Sequence, residues 1–192
     1  MSRSKTSILK NPPLESRGGW GSWIKIREVS HRVGHRFILT LTFQLPDGRI
    51  EDFTIKHEAS PVCILALTPD RQVVLAKQFR PGPEKMLLEL PGGGIEKDET
   101  PEQAARRELL EETGYDGDFA SVGTCLDCAY STMVRHVFVA TNCVRIQEPQ
   151  FDENEFIEVI TLPLVEFRSH LRSGELTDVE VGYLCLDALG LL

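Results

Sequence analysis

The sequence lacks long apolar runs and any sign of an export signal. No stretch approaches the roughly 20 consecutive apolar residues that a transmembrane helix requires. The polar residues 1–6 lead into no apolar segment of signal-peptide length, and internal repeats and low-complexity tracts are missing. These absences predict a cytoplasmic protein that has no membrane partner.

The sequence also lacks the cysteine pattern of a disulfide-stabilised domain. The chain has five cysteines, an odd number, at Cys63, Cys125, Cys128, Cys143 and Cys185. Cys125 and Cys128 form a CxxC spacing without the second pair of ligands that a structural zinc site normally needs. The pattern therefore favours buried thiols in a reducing compartment.

Basic charge is in short supply as well. The 21 Lys and Arg residues face 29 Asp and Glu residues, which gives a formal net charge of −8. Nucleic-acid binders gain most of their affinity by neutralising phosphates, so this balance argues against a nucleic-acid partner. An anionic small molecule would meet the same repulsion unless metal cations or clustered arginines offset it.

The first part of the chain, residues 1–58, predicts a loose lead followed by a small antiparallel sheet. Alternating apolar and polar residues indicate strands at 23–29, 37–45 and 50–55, and the Pro-Asp-Gly-Arg sequence at 46–49 favours a hairpin turn. Three short strands bury little surface alone. This sheet should therefore pack on the rest of the chain or on a second subunit.

The second part, residues 59–192, predicts an α/β domain with helices on the faces of a mixed sheet. With 41% hydrophobic residues, the whole chain can form a packed core. Strands are expected near 62–67, 73–79, 119–126, 134–141 and 156–161, and helices near 101–113, 163–173 and 178–190.

The predicted helix at 101–113 has clear signals at both ends. Thr100 can cap it, Pro101 suits its first position, and Gln103 completes a capping box. Gly114 follows as the residue that most easily adopts the left-handed conformation at which helices end. The boundaries of this helix are therefore well specified by local sequence.

Three glutamates of this helix, Glu108, Glu111 and Glu112, share one face because of their spacing. Like charges at these spacings cost about 0.2–0.5 kcal/mol per pair, and a hard divalent cation such as Mg²⁺ or Mn²⁺ would reverse that cost. Ala104 and Ala105 are expected on the same side, where small side chains leave room for ions. Taken alone, a solvated, charge-rich helix face is the competing interpretation.

A longer pattern surrounds these glutamates. It reads Gly93-x5-Glu99-x7-Arg107-Glu108-Leu109-x-Glu111-Glu112-x-Gly114-Tyr115. Its seven fixed residues would coincide by chance about once in 10⁹ starting positions. The pattern resembles the complete signature of the Nudix hydrolase family.

The resemblance implies a Nudix-type α/β/α sandwich that hydrolyses a pyrophosphate bond with the help of divalent cations. Two or three Mg²⁺ or Mn²⁺ ions would be held by Glu108 and Glu112, with Glu111 assisting. The backbone carbonyl of Gly92 would supply a further oxygen, because glycine lets the backbone come close to an ion.

The other residues of the signature receive roles through the same resemblance. Arg107 and Glu111 would belong to the catalytic machinery, and Gly94 would contact the substrate. Glu99 and Arg107 would orient the loop and the helix. The residues with structural roles would be Gly93, Glu99 and Gly114.

Outside this signature, the chain resembles the ADP-ribose pyrophosphatase branch of the family over most of its length. The segment Val74-Leu-Ala-Lys-Gln-Phe-Arg80 is similar to a strand whose final arginine contacts the substrate diphosphate. The acidic stretch at 151–160 is similar to the loop that carries the general base, which assigns Glu153 as the base and Glu155 as a neighbouring ligand. The implied substrate is ADP-ribose or a nucleoside-diphosphate sugar, cleaved to a nucleoside monophosphate and a sugar phosphate.

The small N-terminal sheet is similar to an extra sheet that this branch exchanges between the subunits of a homodimer. There it completes the nucleobase pocket, so Trp20 or Trp23 could stack on a base. Ser131 and Arg135 are assigned to substrate binding by their positions.

One segment departs from the branch. Residues 128–136 contain no proline, whereas ADP-ribose hydrolases usually have one about 15 or 16 residues after the signature, and Tyr130 is instead similar to dinucleoside polyphosphate hydrolases. A dinucleoside polyphosphate or a nucleoside triphosphate therefore stays open as the alternative substrate. A non-catalytic nucleotide-sensing module is a third reading, but such modules typically lose carboxylates that this chain retains.

Overall fold

The structure, a computed structural model, describes residues 21–151 and 156–192. Within these ranges, no helix combines the length and the hydrophobicity needed to cross a membrane. Three residues with predicted roles, Trp20, Glu153 and Glu155, lie outside the described residues.

The first part of the described chain forms a separate antiparallel sheet, which confirms the predicted small N-terminal sheet. Its strands, in spatial order, are β1 (Ile24–Val33), β2 (Arg36–Gln44) and β3 (Ile50–His57). In the turn between β2 and β3, the Leu45 N–H donates to the Arg49 carbonyl at 2.7 Å. Gly48 has a φ of +88° in this turn, a backbone conformation that side chains rarely permit.

The other six strands form one mixed sheet. They are β4 (Val62–Leu67), β5 (Gln72–Arg80), β6 (Lys85–Glu89), β7 (Tyr115–Leu126), β8 (Val134–Arg145) and β9 (Glu158–Pro163). Their order is β6-β5-β4-β8-β7, with β9 paired to β5. The pair β4–β8 is parallel, and the other pairs of this sheet are antiparallel. The short strand β6 was not predicted from the sequence.

Three helices cover the two faces of this sheet. They are α1 (Pro101–Thr113), α2 (Leu164–Ser173) and α3 (Val179–Ala188). Helix α1 packs into one buried cluster, and α2 and α3 pack into the other. This arrangement confirms the predicted α/β/α sandwich.

Strand β4 shows why the sheet needs helices on both faces. Cys63 and Leu65 belong to the cluster under α2 and α3, whereas Val62 and Ile64 belong to the cluster under α1. Side chains alternate between the faces of a strand, and here both sets are buried. A continuous apolar run therefore marks the centre of the sandwich.

The small sheet is tied to the main sheet through β3. The Lys56 N–H donates to the Tyr130 carbonyl at 2.8 Å, and the Thr132 N–H donates to the Lys56 carbonyl at 2.9 Å. The Lys56 ammonium also lies 2.9 Å from the Asp127 carboxylate. The loop that lacks the expected proline is therefore fixed by pairing to β3.

Candidate active site

Helix α1 begins and ends as predicted. Thr100 Oγ1 accepts a hydrogen bond from the Gln103 N–H at 3.3 Å, and Gln103 Oε1 accepts one from the Thr100 N–H at 2.8 Å. Gly114 terminates the helix with a φ of +77°, and its N–H donates to the Leu110 carbonyl. Because both ends are fixed, the direction in which each glutamate of the helix points is also fixed.

A cleft of about 640 Å³, called here the first cleft, opens beside α1. Glu108, Glu111 and Glu112 all line it, as their spacing predicts. Ala104 and Ala105 do not line it, because both are fully buried against the sheet. The prediction that these alanines leave room for ions is therefore wrong, and they provide close packing of α1 on the sheet instead.

The opposite wall of the first cleft is the glycine loop at 92–94. A Cβ on Gly93 would lie 2.6 Å from the carboxyl carbon of Glu108, and a Cβ on Gly92 would lie 2.3 Å from the Val62 carbonyl oxygen. The Gly92 N–H donates to Glu112 Oε2 at 2.9 Å. The absence of side chains therefore lets the loop lie against the Glu108 carboxylate at Gly93 and against the backbone of β4 at Gly92.

Arg107 connects the loop and the helix, as the resemblance implied. Its Nε and Nη2 donate to the two oxygens of Glu99, each at 3.0 Å, and Nη2 also donates to the Gly94 carbonyl at 2.8 Å. Its Nη1 donates to Glu108 at 2.9 Å and to Glu111 at 3.0 Å. The hydrogen bonds with Glu99 raise the pKa of Arg107 and lower the pKa of Glu99, so both groups stay charged.

The first cleft offers the donor atoms that a hard cation prefers. No group of three or more His, Cys, Asp or Glu side chains already converges as a metal site within residues 21–151 and 156–192, and Glu108 and Glu111 are turned towards Arg107. No described residue donates a hydrogen bond to the Gly92 carbonyl, whereas the carbonyls on either side of it accept bonds from β4. Three carboxylates and a backbone oxygen fit Mg²⁺ or Mn²⁺ by type.

A second cleft, of about 600 Å³, adjoins the first and shares Gly92 and Glu112 with it. Arg80, predicted to contact a diphosphate, lines this second cleft. Its Nε donates to both oxygens of Glu89, at 2.7 and 2.9 Å, and its Nη2 donates to Glu89 as well. The predicted phosphate-binding arginine is therefore held beside the predicted metal ligands.

Arg135, another predicted substrate contact, also lines the second cleft. Its guanidinium is only 13% exposed and forms ion pairs with three carboxylates, with separations of 2.9 to 3.0 Å from Asp127, Asp178 and Glu180. These contacts join β7, β8 and the start of α3. Arg135 therefore stabilises the wall of the cleft, and its direct contact with substrate remains a prediction.

Trp23 and Ser131 lie in a different place from the other predicted substrate contacts. Both line a third cavity, of about 440 Å³, together with Phe43, Phe53 and Tyr130. The Trp23 ring lies 6.0 Å from the Phe43 ring and 5.7 Å from the Phe53 ring. Neither Trp23 nor Ser131 lines the first or the second cleft of its own chain.

The chain returns to the first cleft just before the acidic segment at 152–155. The Gln150 N–H donates to the Glu111 carbonyl at 2.7 Å, and Gln150 and Phe151 both line the cleft. This contact fixes the chain at the C-terminal end of α1, next to the carboxylates. The roles predicted for Glu153 and Glu155 fall on the residues that follow directly.

All five cysteines are free, and three of them are buried. Burial raises the pKa of Cys143 to about 11 and that of Cys185 to about 12, which keeps both as thiols near neutral pH. Cys128 is exposed, so the prediction of buried thiols does not extend to it.

Two residues of the clefts were missed by sequence reasoning. Glu89 ends β6 and lines the second cleft, and Gln150 pins the chain to α1. A single acidic residue among Met86-Leu-Leu-Glu89-Leu was a usable signal for Glu89, because an unpaired charge in an apolar strand is costly. The contact of Gln150 is made by its backbone, so the type of residue at this position could not have predicted it.

Comparisons with known proteins agree with this geometry. A family model described as NUDIX domain matches residues 57–180. A Bacillus subtilis (strain 168) protein named ADP-ribose pyrophosphatase is 33% identical over 143 residues, which cover 73% of this chain and 77% of that protein. A Mus musculus protein named ADP-sugar pyrophosphatase is 46% identical over 165 residues, which cover 81% and 73%. A crystal structure of an ADP compounds hydrolase has a TM-score of 0.68 at 17% identity and covers 91% of this chain and 96% of that chain, which shows a shared fold.

Proposed function

The chain belongs to the Nudix family, and from this premise we propose that it is a Mg²⁺- or Mn²⁺-dependent pyrophosphatase acting on ADP-ribose or a related nucleoside-diphosphate sugar. The products would be a nucleoside monophosphate and a sugar phosphate. The relatives named ADP-ribose pyrophosphatase and ADP-sugar pyrophosphatase support this choice of substrate.

The observation that carries the proposal is the junction of the two clefts at Gly92 and Glu112. On one side of the junction, the carboxylates of α1 suit divalent cations. On the other side, Arg80 is held by Glu89 through Nε and Nη2, and its Nη1, from which no described residue accepts a hydrogen bond, suits a phosphate oxygen. A diphosphate is an anion that needs both kinds of partner at once, so it fits this junction.

The described residues of the site support their proposed roles by their placement, and the roles of Glu153 and Glu155 rest on the family resemblance. Glu108, Glu111 and Glu112, with the Gly92 carbonyl, would hold the two or three ions, which supply charge neutralisation at the diphosphate and a lowered pKa of water. Arg107 would keep the helix and the glycine loop in register through Glu99. Glu153 would take the proton from the attacking water, with Glu155 as a neighbouring ligand, because the chain enters the acidic segment at the rim of the first cleft.

A substrate panel tests the proposal. Purified protein with millimolar Mg²⁺ should convert ADP-ribose or a nucleoside-diphosphate sugar to a nucleoside monophosphate and a sugar phosphate, measured by chromatography. The variant E153Q should still bind the substrate but turn it over far more slowly. No turnover of any nucleoside-diphosphate-linked compound would refute the proposal, and tight binding without hydrolysis would indicate a sensing module instead.

The same panel includes the alternative substrates. Release of inorganic pyrophosphate from a nucleoside triphosphate, or cleavage of a dinucleoside polyphosphate, would favour the second reading. Tyr130 motivated that reading, but its side chain lines the third cavity with Trp23 and not the first or second cleft. The placement of Tyr130 therefore gives this alternative no support.

The proposal includes a cytoplasmic homodimer in which the small sheet contacts a second subunit. Apolar side chains of the small sheet are more than half exposed in the single chain, among them Trp23, Ile24, Ile26 and Ile50. Ile24 and Ile50 lie on the same face of the sheet, on either side of Gln44, and exposed apolar residues grouped in this way are typical of a protein interface. Light scattering at micromolar concentration should give twice the mass of the chain, and a monomer would contradict this part of the proposal.

A further inference from the structure

Glu89 is a buried carboxylate that has no role in the proposed reaction. It is only 3% exposed and lines the second cleft at the end of β6. Burying a carboxylate is costly unless hydrogen bonds and an opposite charge compensate it. Three donors from β5 do so, namely Arg80 Nε, Arg80 Nη2 and Gln78 Nε2, the last at 3.1 Å.

The contacts with Glu89 fix the orientation of the Arg80 guanidinium. Its Nε and Nη2 point to Glu89, and no described residue accepts a hydrogen bond from Nη1. The Arg80 side chain is still 47% exposed, so the side of the fork away from Glu89 faces the second cleft. A rigid, planar guanidinium anchored at one edge has its remaining donors aimed in one direction.

Arg80 lines the second cleft together with two carboxylates, Glu89 and Glu112, and contacts the first of them directly. The hydrogen bond with Glu89 is the main cause that raises the pKa of Arg80, and the charge of Glu112 contributes in the same direction. Glu112 is a proposed metal ligand at the junction of the clefts. An arginine released from Glu89 would be attracted to Glu112 and would compete there with a cation.

We propose that Glu89 is a positioning residue that aims the Arg80 guanidinium at a substrate phosphate and keeps it from pairing with Glu112. This inference rests on the proposed function for the substrate contact of Arg80. Its second half concerns cation binding and does not depend on which substrate is cleaved.

The variant E89Q tests the first half, because glutamine keeps the shape of the side chain but removes its charge. We expect KM to rise about tenfold while kcat falls less than about threefold, since a misdirected Arg80 weakens binding rather than the chemical step. The variants E89Q and R80A should be non-additive, with the double variant having the KM of R80A alone. A purely structural Glu89 would lower the melting temperature, leave KM within about twofold of the wild type and add to R80A.

The second half is tested by Mn²⁺ binding, measured by calorimetry without substrate. E89Q should bind Mn²⁺ several-fold more weakly than the wild type, and R80A/E89Q should regain wild-type affinity because the competing arginine is gone. Equal Mn²⁺ affinity in the wild type and E89Q would overturn this half. If the wild type cleaves no substrate of the panel, the proposed function fails, while the Mn²⁺ comparison still decides whether Glu89 restrains Arg80.

Two further variants serve as controls. E89D keeps the charge but shortens the side chain, so it should show a smaller rise in KM, and it replaces E89Q if that variant does not fold. E158Q breaks the 2.7 Å ion pair with Lys77, which joins the same strand β5 to β9 outside both clefts. This control should leave KM and Mn²⁺ affinity unchanged.

Discussion

The first and second clefts meet at Glu112, yet the balance of their charged side chains differs. Carboxylates predominate in the first cleft, and cations predominate in the second. The described lining of the first cleft has four carboxylates and one cation, contributed by Glu96, Glu108, Glu111, Glu112 and Arg107. The described lining of the second cleft has four cations and three carboxylates. They are Arg36, Lys56, Arg80, Arg135, Glu89, Glu112 and Asp178.

The difference lies in how far the charges are compensated within the chain. In the second cleft, each cation has a carboxylate partner, and most of these pairs join different strands or helices. In the first cleft, the charges come from one helix and its preceding loop, and the carboxylates outnumber the cation. Charge pairs between different elements hold a fold together, whereas several carboxylates that share one arginine on a single helix are an arrangement that suits a cation.

The largest effect that this comparison predicts is the loss of activity in E112Q. Glutamine retains an oxygen that can accept the Gly92 N–H, so the fold should survive. Loss of a proposed metal ligand removes several kcal/mol of charge stabilisation, which corresponds to a fall in turnover of about 10²–10⁴-fold. Because the charge of Glu112 is repelled by the other glutamates of α1 but attracted by Arg80, the free energy of unfolding should stay within about 1 kcal/mol of the wild type. Kinetics and urea denaturation measure the two quantities.

The matched control for E112Q is E102Q. Glu102 lies in the first turn of the same helix, outside both clefts, and faces Arg106 at 3.5 Å. It should leave turnover unchanged. Full activity of E112Q, or an equal loss in E102Q, would show that the charge excess of the first cleft is not a cation site.

The first cleft was largely predictable because its determinants are local. Thr100, Gln103 and Gly114 set the ends of α1, and the spacing of the glutamates then placed them together. The alanines were misjudged because a helical face shows which residues share a direction, but not whether the sheet or the solvent lies there. Local patterns therefore predicted the bounds of α1 and the shared face of its glutamates. Which other side chains of α1 are buried depends on how the helix packs on the sheet.

The second cleft was predicted only in part because its partners are distant in sequence. The sequence assigned Arg135 to substrate binding but did not reveal its place in the wall of the cleft, because its partner Asp178 comes from the start of α3, 43 residues later. Strand β6 was not predicted because it has only five residues, between a Pro-Gly turn and the glycine loop. Trp23 and Ser131 share a cavity because of the way that the small sheet packs on the loop at 127–132, which no local pattern encodes.

A smaller effect, on stability, is predicted for the ion pairs that Asp127 forms beside the second cleft. Asp127 accepts from Lys56 at 2.9 Å and from Arg135 at 3.0 Å, and so joins the small sheet to the main one. Burial alone would raise the pKa of Asp127, but hydrogen bonds from Lys56, Ser131 and Arg135 outweigh it and lower this pKa from 3.8 to about 2. The folded state therefore binds this proton less readily than the unfolded chain, so ionised Asp127 stabilises the fold.

The variant D127N should show this stabilisation as a dependence on pH. Above about pH 5, the free energy of unfolding of D127N should be about 1–2 kcal/mol lower than that of the wild type. This difference should shrink as the pH falls through 3.8 towards 2. The loss stays moderate because Lys56 keeps Glu58 and Arg135 keeps Asp178. In the control D118N, the changed residue is bonded to neutral Asn142 on β8, so little change is expected at any pH. Urea denaturation from pH 3 to pH 7 measures both variants, and a D127N deficit that is constant over this range would mean that Asp127 contributes by shape rather than by charge.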